Sequence, residues 1–289
     1  MPTPQARPKK RAGSIDGREM TKLEVHENPA VAQKCVGTIA MVTRDQVSAH
    51  TAISWTMIDQ SYLSPGEWIK KYIMVGDVLP FQRNQCINDM EGDWILFVDS
   101  DMVWQPSAIK TIVETQAKFD LDIVGGLCFQ RVEPFQPTLY KSNPRGDGYI
   151  YLEQWPEDVA LEVDATGMAF CLIHRRVLER ISQNEMHVPF PSDEDRKEMV
   201  PIPFFSLNGQ FGEDFQFCRD AQGAGCRIFV DTSVKIGHVG QVVITEETFL
   251  RELAFRPKGA TDFRTMALGS IGEKILSRKE ALRKLGWRS

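Results

Sequence analysis

An apolar stretch that ends in two carboxylates constrains this chain more than any other feature. Residues 94–98 read Trp-Ile-Leu-Phe-Val, and Asp99 and Asp101 follow with one serine between them. A short run of bulky apolar residues without a turn former predicts a strand that is buried on both faces. Because alternate residues of an extended chain point the same way, both carboxylates are expected to face one point beyond the strand.

Two carboxylates placed in this way need a counter-charge or must stay solvated. Unit charges roughly 4 Å apart repel by about 4 kcal/mol at an effective dielectric constant of about 20. A divalent cation removes this repulsion, and oxygen ligands suit magnesium or manganese. We therefore predict a metal site at the carboxyl end of a central strand, where open α/β sheets bind ligands. The alternative is a pair of solvated aspartates in a strand-to-helix turn, one of which caps the next helix.

The composition is that of an ordinary globular protein. The 289 residues are 42% hydrophobic and 25% charged, and the net charge of -5 argues against a general binder of polyanions. No apolar run approaches the roughly 20 residues that a membrane span needs, so we expect neither a span nor a secretory signal. The six cysteines have no CxxC spacing, so we expect buried free thiols and a cytoplasmic location.

Apolar strands and helical segments alternate over the first half of the chain. This alternation predicts an α/β fold with a mostly parallel central sheet and helices on both faces. The predicted strands are residues 36–42, 72–75, 94–102 and 122–129, and helices are predicted from about residue 48, around 83–90 and from Pro106. The first helix is expected to bury a broad apolar face, formed by Ala49, Ile53, Trp55, Met57 and Ile58.

Beyond residue 129 the regular alternation stops. Residues 130–160 predict a hairpin or surface excursion, and the proline-rich, charged segment 184–210 predicts a lid or binding loop. The expected domains are a mobile N-terminal arm (1–34), one α/β domain (35–245) and a basic, helical C-terminal extension (246–289).

The order and spacing of four motifs resemble those of the GT-A fold glycosyltransferases of family 2. The motifs are Asp99-Ser100-Asp101 (the DxD motif), Gly212-Glu213-Asp214 (which opens the acceptor-side helix), Gly237-His238 (which completes the metal site) and Arg83-Asn84. The resemblance spans about residues 36–240 and includes small stand-alone bacteriophage enzymes. It implies the GT-A fold, in which helices flank a Rossmann-like, mostly parallel sheet.

This resemblance also implies an activity and a cofactor. The activity is transfer of a sugar from a nucleotide donor, usually a UDP-sugar, with a manganese or magnesium ion (Mn²⁺ or Mg²⁺). The implied metal ligands are Asp99, Asp101 and His238, and Asp99 alternatively holds the donor ribose or a metal-bound water. Asp214 is the implied general base toward the acceptor hydroxyl, which predicts inversion of configuration, and Glu213 is the second candidate as an acceptor-binding residue.

The same residues have simpler interpretations. His238 is alternatively a structural histidine in a turn flanked by glycines. Glu213 and Asp214 are alternatively favourable charges at the positive end of the helix that they begin, a role that is compatible with catalysis.

Further candidates for donor binding lie at the ends of predicted strands. Residues after the first two strands are assigned to the base and ribose, Arg83 to the uracil or diphosphate, and two later residues to the sugar pocket. In chain order these candidates are Thr43, Arg44, Asp77, Arg83, Asp164 and Gly167, with Thr166 beside them and Tyr149, Tyr151 and Trp155 as rings that stack on a sugar or base. The alternatives are ordinary turn residues, a helix-surface arginine and local aromatic packing.

The sequence leaves the acceptor open among a modified DNA base, a virion protein and a glycan. Five basic residues near the C-terminus predict either a solvated helix face or a contact with nucleic acid or an anionic membrane; they are Arg278, Lys279, Arg283, Lys284 and Arg288. Two other functions compete. A nucleotidyltransferase would need a Gly-rich loop after the first strand, which is not present, and a non-catalytic carbohydrate- or nucleotide-binding module would not need the acidic motifs.

Overall fold

The computed structural model describes residues 14–15, 18–19, 22–24, 34–145, 148–186, 203–206, 212–240, 243–255 and 275–277. Most of the predicted N-terminal arm, most of the predicted lid at 184–210 and all five basic residues near the C-terminus lie outside these described residues.

The described residues form sixteen strands and six helices. The helices are α1 (Ala49–Thr56), α2 (Leu79–Asn88), α3 (Ala108–Phe119), α4 (Arg175–Met186), α5 (Glu213–Gly223) and α6 (Glu246–Phe255). The strands are β1 (Ser14–Ile15), β2 (Arg18–Glu19), β3 (Lys22–Glu24), β4 (Lys34–Thr43), β5 (Glu67–Val75), β6 (Trp94–Asp99), β7 (Met102–Val103), β8 (Ile123–Leu127), β9 (Tyr140–Ser142), β10 (Tyr149–Tyr151), β11 (Val159–Val163), β12 (Phe170–His174), β13 (Ile228–Lys235), β14 (Gly237–Val239), β15 (Val243–Ile244) and β16 (Ile275–Ser277).

One central sheet of nine described strands organises the domain, in the order β16-β11-β13-β8-β12-β6-β4-β5-β3. Strands β5, β4, β6, β8 and β13 run in one direction, and β12 lies antiparallel between β6 and β8. The predicted α/β fold with a mostly parallel sheet is confirmed. Since these five strands share a direction, their carboxyl ends meet at one edge, and the residues that follow them are brought together there.

Strand β6 shows why the sheet is buried on both faces. Ile95 and Phe97 pack into an apolar cluster with α2, α4 and α5, whereas Leu96 and Val98 pack into a second cluster with α3. All four side chains are fully buried. The alternation follows the two-residue period of a strand. The predicted buried strand is therefore confirmed, with Asp99 as its last residue.

Helix α1 buries only part of the predicted apolar face, since Trp55 and Ile58 pack against the core. Ile53 and Met57 are 57% and 54% exposed, whereas Thr51 and Ser54 are buried. The Ser54 hydroxyl donates to the backbone carbonyl of Trp104 (3.1 Å) and accepts from the backbone N–H of the same residue (3.2 Å). Hydrogen-bonded hydroxyls are buried at little cost, so the apolar pattern located the inner face of this helix only in part.

The hairpin predicted within residues 130–160 is present as the antiparallel pair β9 and β10. The C-terminal extension is helical in α6, but residues 275–277 form strand β16, which pairs with β11 at the far edge of the sheet. In the described part of the chain, no helix has both the length and the apolar character that crossing a bilayer requires.

Candidate active site

A pocket of about 240 Å³ opens at the sheet edge where the carboxyl ends of the parallel strands meet the start of α5. It lies beside β12, the antiparallel strand that separates the parallel strands β6 and β8. Six of the predicted site residues line this pocket: Arg83, Asp99, Gly167, Glu213, Asp214 and His238. The topology thus gathers side chains that are far apart in the sequence.

Strand pairing brings Asp101 and His238 together. Asp101 directly precedes β7, and β7 pairs with β14, so that His238 lies opposite Met102. The backbone N–H of Val239 donates to the carbonyl oxygen of Asp101 at 2.8 Å. As a result, His238 Nε2 lies 3.2 Å from Asp101 Oδ2.

The hydrogen bond of the second ring nitrogen determines which nitrogen of His238 faces the pocket. Nδ1 lies 2.8 Å from the backbone carbonyl oxygen of Phe129, which accepts only, so Nδ1 carries a hydrogen. Nε2 is therefore the nitrogen that faces the pocket. Burial by itself lowers the pKa of His238, but the hydrogen bond and charge of Asp101 outweigh it and the pKa is raised. The carboxylate of Asp101 thus favours the protonated imidazole, and another cation at this point would compete with that proton.

Arg83 is a buried cation that joins the two halves of the site. Its side chain is 2% exposed and lies over the rings of Phe97 and Phe205, at 6.0 and 5.6 Å from their centroids. Nη1 donates to Glu213 Oε1 at 2.7 Å, and Nη2 donates to Asp99 Oδ1 at 3.2 Å. Burial raises the pKa of Asp99, and the charge of Arg83 opposes this increase. Helix α2 therefore ties the end of β6 to the start of α5.

Asp214 differs from its neighbours because the described residues supply no cation in direct contact with its carboxylate. Oδ1 accepts from the backbone N–H of Phe215 at 2.9 Å, and a Cβ atom built on Gly167 would lie 3.9 Å from Oδ2. Burial raises the pKa of Asp214, only partly opposed by the charge of Arg83. A buried carboxylate with a raised pKa in a pocket is suited to accept a proton.

The structure gathers two of the three predicted metal ligands. Asp101 and His238 converge on one point, whereas Asp99 is engaged by Arg83. Among the described residues, no group of three or more His, Cys, Asp or Glu side chains is placed to hold a metal ion. One carboxylate oxygen and one imidazole nitrogen still form a mixed donor pair that suits a transition metal whose other ligands come from a bound substrate.

Comparison with known proteins identifies the family. The sequence profile described as "Glycosyltransferase like family 2" matches residues 38–258, which is most of the chain. The chain belongs to this family. This assignment agrees with the resemblance predicted from the motifs, and it decides against a nucleotidyltransferase.

Solved structures with a related architecture are distant from this family 2 glycosyltransferase. A197 from STIV is 19% identical with a TM-score of 0.42, over 72% of this chain and 86% of that one. TarS 1–349 of S. aureus in complex with UDP-GlcNAc is 14% identical with a TM-score of 0.37, over 68% and 56%. GalNAc-T7 with UDP, GalNAc and Mn²⁺ is 9% identical with a TM-score of 0.48, over 90% and 58%. The chain thus spans less than two thirds of the last two proteins. No curated protein matches its sequence.

Four predicted donor-binding residues of the glycosyltransferase do not line the pocket. Thr43, Arg44 and Asp77 lie at the same sheet edge, where the Thr43 hydroxyl donates to the carbonyl oxygen of Gln46 (2.5 Å) and Arg44 pairs with Asp77 (3.6 Å). Asp164 is the fourth.

Both oxygens of Asp164 have partners on the β9–β10 hairpin. They accept from Lys141 Nζ at 3.2 Å and from the backbone N–H of Ser142 at 2.7 Å. Asp164 therefore holds the hairpin against the domain.

The three aromatic candidates contribute mainly to packing. Tyr151 is buried, and the ring of Trp155 lies 6.0 Å from Phe129 and 5.6 Å from Phe249. Tyr149 stacks on Phe215 at 5.0 Å, next to Asp214. Tyr149 and Trp155 therefore each contact a ring of the pocket wall, Phe215 and Phe129 respectively.

The sequence analysis missed Arg131, which extends from the loop after β8 and contacts Asp101. Its Nη1 donates to Asp101 Oδ2 at 2.8 Å. It also missed Tyr140 and Phe215, which line the pocket. One signal was available for Arg131. This residue follows the carboxyl end of a predicted parallel strand, as Asp99 and Asp101 do.

Proposed function

We propose that the protein is a metal-dependent, inverting glycosyltransferase that moves a sugar from a UDP-sugar to an acceptor hydroxyl. The observation that carries the proposal is the placement of Asp214. This partly buried carboxylate, without an ion pair among the described residues, shares one pocket with Asp99 and His238. His238 lines this cavity and contacts Asp101, so the proposed base lies close to the proposed cation-binding pair, as such a transfer needs.

Asp101 and His238 are the residues that would hold the metal ion. Their oxygen and nitrogen donors fit Mn²⁺ better than Mg²⁺, which prefers oxygen ligands only. When bound, the metal ion neutralises the charge that develops on the departing nucleoside diphosphate. Two protein ligands would leave room for phosphate oxygens of the donor. Asp99, held by Arg83, is proposed to hold the donor ribose or a metal-bound water.

Asp214 is the proposed general base. As the acceptor oxygen forms a bond to the anomeric carbon, its proton passes to a carboxylate oxygen of Asp214 while the bond to the diphosphate breaks. Attack from the side opposite the leaving group inverts the configuration at this carbon. Glu213 is tied to Arg83 and therefore less available to accept a proton, so its proposed role is to orient the acceptor side. Gly167 leaves the space beside Asp214 free of a side chain.

The nucleotide itself is proposed to lie along the ends of β4 and β5, near Thr43, Arg44 and Asp77. The acceptor class remains a proposal among a DNA base, a virion protein and a glycan, and the basic residues proposed for a nucleic-acid contact lie outside the described residues.

The first test is thermal unfolding with a panel of nucleotide sugars, with Mn²⁺ or with EDTA. A ligand at 100 times its dissociation constant stabilises the folded state by about 2.7 kcal/mol. We expect one UDP-sugar to raise the unfolding temperature only with Mn²⁺, and Asp101→Asn to abolish this increase. An equal shift in EDTA would contradict metal dependence, and no shift with any nucleotide sugar would contradict the donor assignment.

A further inference from the structure

Arg131 lies where the proposed metal ion would bind. Its Nη1 is 2.8 Å from Asp101 Oδ2, and the same oxygen is 3.2 Å from His238 Nε2. The guanidinium and the imidazole thus converge on one carboxylate oxygen. A metal ion held by Asp101 and His238 would occupy this space, so the contact between Arg131 and Asp101 and the metal contact exclude one another.

The side chain of Arg131 is free to leave. It is 58% exposed, whereas the Asp101 side chain is 25% exposed. Exposed ion pairs are weak, because water screens them and a long side chain loses rotamer freedom in them. The guanidinium is therefore a replaceable counter-ion for Asp101.

The backbone around Arg131 is held in place beside the pocket. The N–H of Gln130 donates to the carbonyl oxygen of Gln136 at 2.8 Å, and the N–H of Thr138 donates to that of Cys128 at 2.9 Å. The Gln130 side chain also donates to the Tyr140 hydroxyl at 3.0 Å. Because Gln130, Thr138 and Tyr140 line the pocket, the backbone of Arg131 is held beside the pocket, whichever direction the Arg131 side chain takes.

We propose that Arg131 exchanges anions during the reaction: it pairs with Asp101 in the metal-free protein and with the diphosphate of the donor once the metal ion occupies Asp101. This inference rests on the proposed function. A planar guanidinium binds two phosphate oxygens at once, so it suits a diphosphate leaving group. Arg131 is then a competitor of the free metal ion and a binding residue for the donor.

The two roles predict opposite effects of one substitution. We expect Arg131→Gln to bind Mn²⁺ alone about two- to fivefold more tightly than wild type, because an exposed ion pair no longer competes. With saturating Mn²⁺, we expect the same variant to bind UDP roughly tenfold more weakly, because a charge-assisted hydrogen bond is lost. Arg131→Lys keeps the charge without the planar fork, so we expect wild-type affinity for Mn²⁺ and intermediate affinity for UDP.

Arg227→Gln is the matched control. Arg227 is 59% exposed and pairs with Glu162 at 2.6 Å, but it directly precedes β13, at the opposite end of that strand from the pocket. We expect this variant to bind both probes as wild type does. Both affinities are measured at one ionic strength, Mn²⁺ by electron paramagnetic resonance of the free ion and UDP by calorimetry, with Asp101→Asn to locate the metal.

The outcomes separate this inference from the proposed function. If wild type binds Mn²⁺ and UDP in a manner that depends on Asp101, but Arg131→Gln binds Mn²⁺ no more tightly or UDP no more weakly, the exchange is overturned and the proposed function stands. If wild type binds neither probe, both are overturned. Tighter Mn²⁺ together with weaker UDP in Arg131→Gln, and neither in Arg227→Gln, supports the exchange.

Discussion

Two charge clusters at opposite ends of the sheet use the same kinds of side chain in different ways. The basal cluster, at the amino ends of β8 and β13, consists of Asp120, Asp122, Arg176, Arg180 and Arg227. Asp122 Oδ1 accepts from Arg176 Nε (2.7 Å) and Arg180 Nη1 (3.1 Å), and its Oδ2 accepts from the backbone N–H of Arg227 (3.1 Å). In this cluster both oxygens of Asp122 have partners, and the guanidinium of Arg227 pairs with Glu162.

In the pocket cluster carboxylates outnumber arginines. It consists of the carboxylates Asp99, Asp101, Glu213 and Asp214 with the cations Arg83 and Arg131 and the imidazole His238. The pKa values of Asp99 and Asp214 are raised by burial, whereas in the basal cluster the hydrogen bond and charge of Arg176 lower the pKa of Asp120. The Nε–H of Arg83 is also buried without a partner among the described residues. A buried donor without a hydrogen-bond partner destabilises a fold, and such donors are typical of functional sites.

The largest expected difference between the clusters is in catalysis. We expect Asp214→Asn to lower the turnover of donor by about 10²- to 10⁴-fold, the usual contribution of a general base, while donor affinity stays close to that of wild type. The matched control is Asp220→Asn on the same helix, where burial also raises the pKa of the carboxyl, outside the pocket lining. Turnover is followed as UDP release. Equal losses in both variants would remove Asp214 from its proposed role.

A smaller effect is expected from Arg83→Gln, which removes the cation that joins the two halves of the pocket cluster. Breaking a buried ion pair leaves its partners uncompensated, so we expect a loss of about 3 kcal/mol in the free energy of unfolding, measured in urea. Since the charge of Arg83 also lowers the pKa of Asp214, its removal should shift the acidic limb of the pH–turnover profile to higher pH. Arg83→Lys, which keeps the charge, should restore that limb. An unshifted limb in Arg83→Gln would mean that Arg83 acts through packing alone.

The basal cluster supplies the contrasting variant, Arg176→Gln. We expect it to lower the free energy of unfolding by about 1 to 2 kcal/mol, because charge-assisted hydrogen bonds to Asp122 are lost. Donor affinity and turnover should not change. A variant of the basal cluster that lost donor affinity would break the distinction between a cluster for stability and one for function.

Local sequence patterns were sufficient for the features that depend on one segment. The apolar run before Asp99 predicted the buried strand, and the carboxyl-end rule placed Asp99 at the edge where the parallel strands end. Asp214 was named from the resemblance to the family. The insertion of β12 between β6 and β8 was not predictable in the same way, because pairing between distant strands leaves no periodic signal in either of them. The contacts of Arg83 with Glu213 and of Arg131 with Asp101 depend on that pairing.

Two local features were decided by hydrogen-bond partners that are distant in sequence. The inner face of α1 carries Thr51 and Ser54 because the backbone near Trp104 supplies hydrogen bonds that hydrophobicity does not report. Asp164 resembled a donor-binding residue in sequence, yet Lys141 and the backbone of Ser142 take both of its oxygens. In both cases the partners that decide the role of a polar side chain are distant in sequence.

The smallest expected effect is on stability. Asp214→Asn, which is expected to lower activity, is expected to make the folded protein more stable. The pKa of Asp214 in the folded protein is above the value of 3.8 that it has in an unfolded chain. The folded state therefore binds this proton more tightly, and the stabilisation that results is present below the unfolded pKa and lost as the pH rises through the folded pKa. Above the folded pKa the ionised, partly buried carboxylate remains as a cost.

Asparagine removes this cost, and its amide oxygen can still accept from the N–H of Phe215. We expect Asp214→Asn to unfold at a higher temperature than wild type at pH 8, by a few degrees at most, since about 1 kcal/mol corresponds to about 2 to 4 °C in a chain of this size. The difference should shrink when unfolding is measured near pH 4. Asp122→Asn should show the opposite sign, because Arg176 and Arg180 then lose an ionised partner. If both variants lose stability at pH 8, Asp214 is stabilised by a cation in the folded protein, and the contrast between the two clusters fails at the residue on which the proposed chemistry depends.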